Sequence, residues 1–130
     1  MDDRERIQSH RDLKVWQLGM DFAEQTYDLT KSFPDNERFG LVSQLRRAAV
    51  SVPANIAEGN ARSSTKDYLR HLSIALGSLA EVETFLDLSE RLHYGQSSKV
   101  QNLNEYVIEE RRMLRGLQRS LQVKLRSADT

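Results

Sequence analysis

Apolar residues in this chain recur every three or four positions through four long stretches, and the residues that would interrupt a helix fall mainly between those stretches. Two prolines and six glycines among 130 residues are too little punctuation for a protein of short strands and turns. The spacing predicts an all-α fold, an up-and-down antiparallel four-helix bundle. The first helix is expected from about Leu13 to Ser32, ended by Phe33-Pro34, because proline cannot continue a helix and disfavours helical geometry in its predecessor. The second runs from about Glu37 to Glu58, with Gly59 as a left-handed stop and Pro53 predicting a kink or break. The third follows Ser63-Ser64-Thr65, where Ser64 and Asp67 read as a capping box, and ends at His93 before Gly95. The fourth begins near Ser97-Ser98 and fades near Arg126. Residues 1–12 are expected as a flexible charged tail, 13–126 as the bundle and 127–130 as a C-terminal tail.

Composition narrows the function classes. With 38% hydrophobic and 29% charged residues, the chain has the mixture of a solvated globular protein. Lysine plus arginine equals aspartate plus glutamate at 19 each, so a protein basic over its whole surface is excluded, while a local basic stripe is not. The absence of cysteine rules out disulfides and thiolate chemistry. The charged start and the lack of a long apolar run give the cytoplasm as the expected location and no membrane as a partner.

Placing the residues at 100° intervals on a helical wheel shows more apolar surface than one core needs. The second helix carries one stripe, Leu41, Leu45, Ala48, Val52 and Ile56, and the fourth carries Leu103, Val107, Leu114, Leu117, Leu121 and Leu125. The first helix carries two stripes. Leu13, Trp16, Met20, Ala23 and Tyr27 form one, and Val15, Leu18, Phe22 and Leu29 form the other. The third repeats this, with Tyr68, Leu72, Ala75, Leu79, Val82 and Leu86 on one side and Ile74, Phe85, Leu88 and Leu92 on another. Val15, Leu18, Phe22, Ile74, Phe85, Leu88 and Leu92 are therefore the candidate interface between copies, since burying such side chains stabilises by roughly 1.5–3 kcal/mol each. A broad flank of the subunit's own core would also explain them. Gly77, amid Ala75, Ser78 and Ala80, would let another helix approach closely, from the same chain or from a neighbour.

No residue set specifies a reaction. The one Glu-x-x-His motif, Glu90 to His93, lacks the second copy and the extra glutamates that a two-metal bundle needs, so neither metal nor cofactor is expected. His10 and His71 read as surface residues. The run from Gly59 to Lys66 lacks the second glycine and the Lys-Ser/Thr ending of a phosphate loop. Two basic features remain. Arg112, Arg115, Arg119 and Arg126 share a wedge of roughly 60° opposite the leucines, with Arg111 at its edge and no acidic residue from Arg111 to Arg126. Arginine's forked donors suit phosphate, though a solvated outer face explains the stripe as well. Arg62 and Lys66 bracket the start of the third helix, where free N–H groups could receive a phosphate or be ordinarily capped. Asn55 and Glu58, three apart, read as a structural polar pair joined to arginines such as Arg46, Arg47 or Arg62 rather than as an acid-base pair.

Several runs resemble one family. Asp12-Leu13-Lys14-Val15-Trp16-Gln17, Glu37-Arg38-Phe39-Gly40-Leu41, Gln44-Leu45-Arg46-Arg47-Ala48-Ala49, Ser51 through Gly59 with its Asn-Ile-Ala-Glu-Gly core, and Ala75 through Glu81 resemble the four-helix-bundle proteins encoded within intervening sequences of bacterial 23S ribosomal RNA genes. The resemblance extends over nearly all of the chain beyond residue 11. It implies a homopentamer, similar also to the accessory variability proteins of diversity-generating retroelements, which bind nucleic acid and a reverse transcriptase. It makes Pro53 part of a pattern. Those retroelement proteins are strongly basic, whereas this chain is neutral. The resulting expectation is a non-catalytic homo-oligomer associated with RNA or DNA through the last helix, or alternatively a scaffold for a protein partner without nucleic acid.

Overall fold

The computed structural model describes residues 9–128. Four long helices make the fold: α1 (Lys14–Thr30), α2 (Leu41–Ala61), α3 (Thr65–Arg91) and α4 (Ser97–Ala128), with no strand among the described residues. Helix α2 packs on α1 and α3, and α4 closes against both α3 and α1. Residues 1–8 and 129–130, parts of the expected tails, lie outside the described residues.

Within the stretch 1–12 expected as a flexible tail, residues 9–12 instead form a capped turn. Ser9 and Asp12 cap one another around a 3-10 turn at His10–Asp12. The second helix starts later than its apolar pattern suggests, because Asp35–Glu37 forms a separate 3-10 turn and Glu37 then accepts the backbone N–H of Leu41 at 3.3 Å. Gly59 does not end it. The helix continues to Ala61, and Gly59 instead permits a close approach: a Cβ there would lie 2.9 Å from His71 Cβ and 3.0 Å from Tyr68 Cδ1. Nor does Pro53 break α2; it is buried within one continuous helix. At the next turn Ser64 Oγ accepts the N–H of Asp67 at 3.0 Å, the serine half of the expected capping box at the start of α3. That helix ends where His93 and Gly95 both take positive φ, 60° and 78°.

The core is lined by Phe22 and Leu29 of α1, Leu45, Val52 and Ile56 of α2, Leu72, Leu79, Val82 and Leu86 of α3, and Leu103, Val107 and Leu114 of α4. Asp28 and Lys99, 2.8 Å apart, tie the end of α1 to the start of α4, and the lysine holds the Asp28 carboxyl below the usual carboxylate range.

Candidate functional site

On α1 the two apolar stripes exchange the roles expected of them. Val15 and Phe22 lie inside the subunit's own core, Phe22 with no exposure at all, and Leu18 is half-buried. Val15 and Phe22 therefore cannot meet another copy, and that assignment is corrected. The cause is the hidden width of the inner face: Gly19, Thr26 and Thr30 share it and are also buried. Their hydroxyls are satisfied within α1, Thr26 donating to the Phe22 carbonyl at 2.9 Å and Thr30 to the Thr26 carbonyl at 3.0 Å, so both behave as core residues.

The other stripe opens outward. Trp16, Met20, Ala23 and Tyr27 of α1 face Val50, Pro53, Ala54 and Ala57 of α2 across an apolar groove of about 570 Å³. Met20, Tyr27 and Val50 remain 45%, 41% and 40% exposed, and Arg46 lies over the Tyr27 ring at 4.5 Å. Ile74 and Leu88 of α3 and Leu92 just past its end are exposed and Phe85 is half-buried against the core, a ridge matching the second stripe read from sequence. Gly77 meets nothing within 4 Å of where its Cβ would be, so packing within the subunit does not require it.

Between α2 and α3 the expected polar pair belongs to a larger network. Ser78 donates to Ser51 Oγ at 2.8 Å, Asn55 donates to the same oxygen at 3.0 Å, and Asn55 Oδ1 lies 3.1 Å from His71 Nδ1. His71 is buried, not on the surface as its isolation in sequence suggests. The Asn55 contact makes Nδ1–H the donor, leaving Nε2 to accept from Arg70 at 3.4 Å. Glu58 accepts from Arg62 at 2.8 Å, and its other oxygen lies 3.9 Å from His71. Arg46 turns away to Thr30, donating at 2.9 Å. Each buried polar atom here has a partner, and the network fixes α3 against α2.

The basic stripe is thinner than its sequence. Arg111 reaches across to Glu83 of α3 at 2.7 Å, and Arg112 is paired with Glu109 at 2.6 Å, which lowers the Glu109 carboxyl and raises the guanidinium. Arg115 donates to Gln118, and Arg115, Arg119 and Arg126 are exposed and enter none of the ion pairs between described residues. Arg62 is committed to Glu58 while Lys66 is exposed, so the start of α3 presents one cation rather than two.

Sequence reasoning missed Glu110. It sits on the leucine face of α4 between Val107 and Leu114, has no exposure, and neither carboxyl oxygen has a hydrogen-bond partner among the described residues. Burial, with the charge of Glu109 adding to it, pushes its carboxyl up to about 8. A Cβ on Gly19 would lie 2.6 Å from Glu110 Oε2 and 3.4 Å from Pro53 Cβ, so the glycine makes the room that this side chain occupies. Its spacing, three beyond Val107 and four before Leu114, was the available signal.

Among the described residues no three of His, Asp and Glu gather where a metal ion could be held, and no helix is long and apolar enough to cross a membrane. Residues 11–116 match the model of the 23S rRNA-intervening sequence protein family. The fold is similar to the crystal structure of a protein of unknown function from the S23 ribosomal protein family of Bacteroides thetaiotaomicron, at 26% identity and a TM-score of 0.74, over 81% of this chain and 95% of that one. No curated protein matches the sequence.

Proposed function

The chain belongs to the 23S rRNA-intervening sequence protein family, and from that premise we propose that it is a non-catalytic homo-oligomer of up-and-down antiparallel four-helix subunits that associates with RNA. The observation that carries the assembly is the pair of unlike apolar surfaces on one subunit, the groove between α1 and α2 and the ridge on α3. A groove that receives a neighbour's ridge makes a head-to-tail contact, and head-to-tail contacts close into rings when the rotation permits. The resemblance of its sequence motifs implies five copies.

A mixing experiment tests the pairing. Met20→Glu disables the groove and Leu88→Glu the ridge, each at a half-exposed position where the subunit's own packing loses little. Each variant alone is expected to run as a folded monomer, and an equimolar mixture to form dimers through the one intact groove and one intact ridge. Variants that assemble alone as the unaltered protein does, or a mixture that stays monomeric, would count against this pairing.

The RNA-facing groups in this proposal are Arg115, Arg119 and Arg126, supported by their freedom from ion pairing among the described residues and by the acid-free stretch of α4. Titration with a structured RNA at two salt concentrations is expected to show affinity falling steeply with salt. Changing the three arginines together to glutamine is expected to weaken binding at least tenfold and flatten the salt slope by roughly two to three. Absence of binding at low salt, or binding indifferent to the triple change, argues instead for a protein-interaction scaffold. That alternative is favoured by the neutralisation of Arg111 and Arg112.

A further inference from the structure

A carboxyl group placed in the middle of a hydrophobic helix face is costly unless it is kept neutral or given a partner. Glu110 has no hydrogen-bond partner among the described residues, yet the neighbouring helix makes room for it. Helix α1 provides Gly19, the one residue type whose missing Cβ leaves room for Oε2. Helix α2 provides Pro53 beside that glycine, and Pro53 also lines the outward groove together with Trp16, Met20 and Ala23. The same short length of α1 thus meets the buried acid at Gly19, while its neighbours Trp16, Met20 and Ala23 shape the groove with Pro53 of α2.

The surrounding charges leave Glu110 without compensation. On α1, Lys14 and Asp21 lie in a cleft with Glu109 and Arg112, and Glu24 borders the outward groove. Helix α2 has no titratable residue from Ala48 to Ala57; Arg47 lines a cleft toward α3, and Glu58 is held by Arg62. On α3, Glu83 is taken by Arg111, Glu81 lines the cleft toward α2, and His71 is bonded to Asn55. On α4 itself Glu109 is paired with Arg112 and adds only repulsion. Among the described residues no cation is in hydrogen-bonding reach of either Glu110 oxygen.

We propose that Glu110 is a proton-operated latch: with its proton, α4 closes against α1 at Gly19, beside which Pro53 of α2 packs, and without it the carboxylate draws in water, parts α1 from α4 and deforms the groove that holds a second copy. The coupling to assembly rests on the self-association proposed above. Assembly then weakens in mildly alkaline solution, where a protein held only by apolar contacts would show little change.

Infrared spectroscopy and light scattering on the full chain separate the latch from its consequence. A protonated-carboxyl band present at pH 7, lost with a midpoint near pH 8 and missing from Glu110→Gln, is expected. Backbone amides of α1 around Gly19 are expected to lose at least tenfold in hydrogen-exchange protection above that midpoint, relative to the Gln variant. The dissociation constant of the assembly is expected to rise at least tenfold between pH 6.5 and 9 in the unaltered protein and to stay level in Glu110→Gln. Glu110→Leu serves the same comparison if the amide variant does not fold. No Glu110-dependent band at pH 7, or an equal pH response in the variants, overturns the latch. A monomer at every pH overturns the self-association reading and the coupling with it, and the band and the exchange rates then decide the latch alone.

Discussion

Phe22→Ala is expected to cost the subunit about 3–5 kcal/mol of folding stability, the usual consequence of emptying an aromatic site in a close-packed interior. Phe22 is wholly buried and stands in the core cluster with Leu29 and Leu45, so the surrounding helices can collapse only partly into the space. A single domain of this size commonly has 5–15 kcal/mol in total, which makes the loss large enough to leave the variant marginal at 37 °C. Urea unfolding followed by circular dichroism reads the effect directly, at one protein concentration because assembly itself adds stability. A variant that unfolds at the same urea concentration as the unaltered protein, but with a smaller solution mass, would return Phe22 to the interface between copies.

Glu110→Met is expected to act in the opposite direction and to stabilise the protein by roughly 3 kcal/mol at pH 7. The sign follows from where the proton is held. Burial raises the carboxyl from 4.5 to about 8, so between those values the native state keeps a proton that the unfolded chain releases. The contribution of Glu110 to stability is therefore least unfavourable below about pH 4.5 and worsens by about 1.4 kcal/mol per pH unit until the native carboxyl ionises near pH 8. Methionine fills a similar volume without a group to desolvate, and replacements of this kind for buried ionisable residues are often stabilising. Urea unfolding of both proteins at pH 4.5 and pH 8 checks this. The gap is expected to be several times wider at pH 8, and an equal gap at both would show that Glu110 is ionised in the native state.

Much of the fold is visible in the amino-acid pattern because helical periodicity is a local property. The four helices, the Phe33-Pro34 interruption, the Ser64 cap and the stop near Gly95 all follow from residues close together in the chain. Errors arise where tertiary neighbours decide. Gly59 looks like a terminator until Tyr68 and His71 are seen pressed against it, and Pro53 looks like a break until the whole of α2 is seen to run through it. On α1 a count of apolar residues cannot tell which stripe faces inward, because Gly19, Thr26 and Thr30 do not register as apolar although they complete the buried face.

The candidate site is legible to a smaller degree for the same reason. Exposure of Ile74, Leu88 and Leu92 agrees with their place outside the core stripe of α3, and Glu58 does meet one of the arginines suggested for it, Arg62. The partners that neutralise Arg111 and bury His71 come from other helices, 28 and 16 residues away in sequence, beyond the reach of any local pattern. Glu110 was readable as a lone acid on an apolar face, but the glycine that accommodates it lies on α1.

Solution mass by multi-angle light scattering across a concentration series at pH 7 bears most directly on the self-association that underlies these functional proposals. Covering the groove of α1 and α2 with another subunit's ridge predicts a well-defined multiple of 15.0 kDa that persists on dilution into the micromolar range. A folded protein of 15.0 kDa at the highest concentration attainable would contradict it, leaving Met20, Tyr27 and Val50 as ordinary exposed side chains.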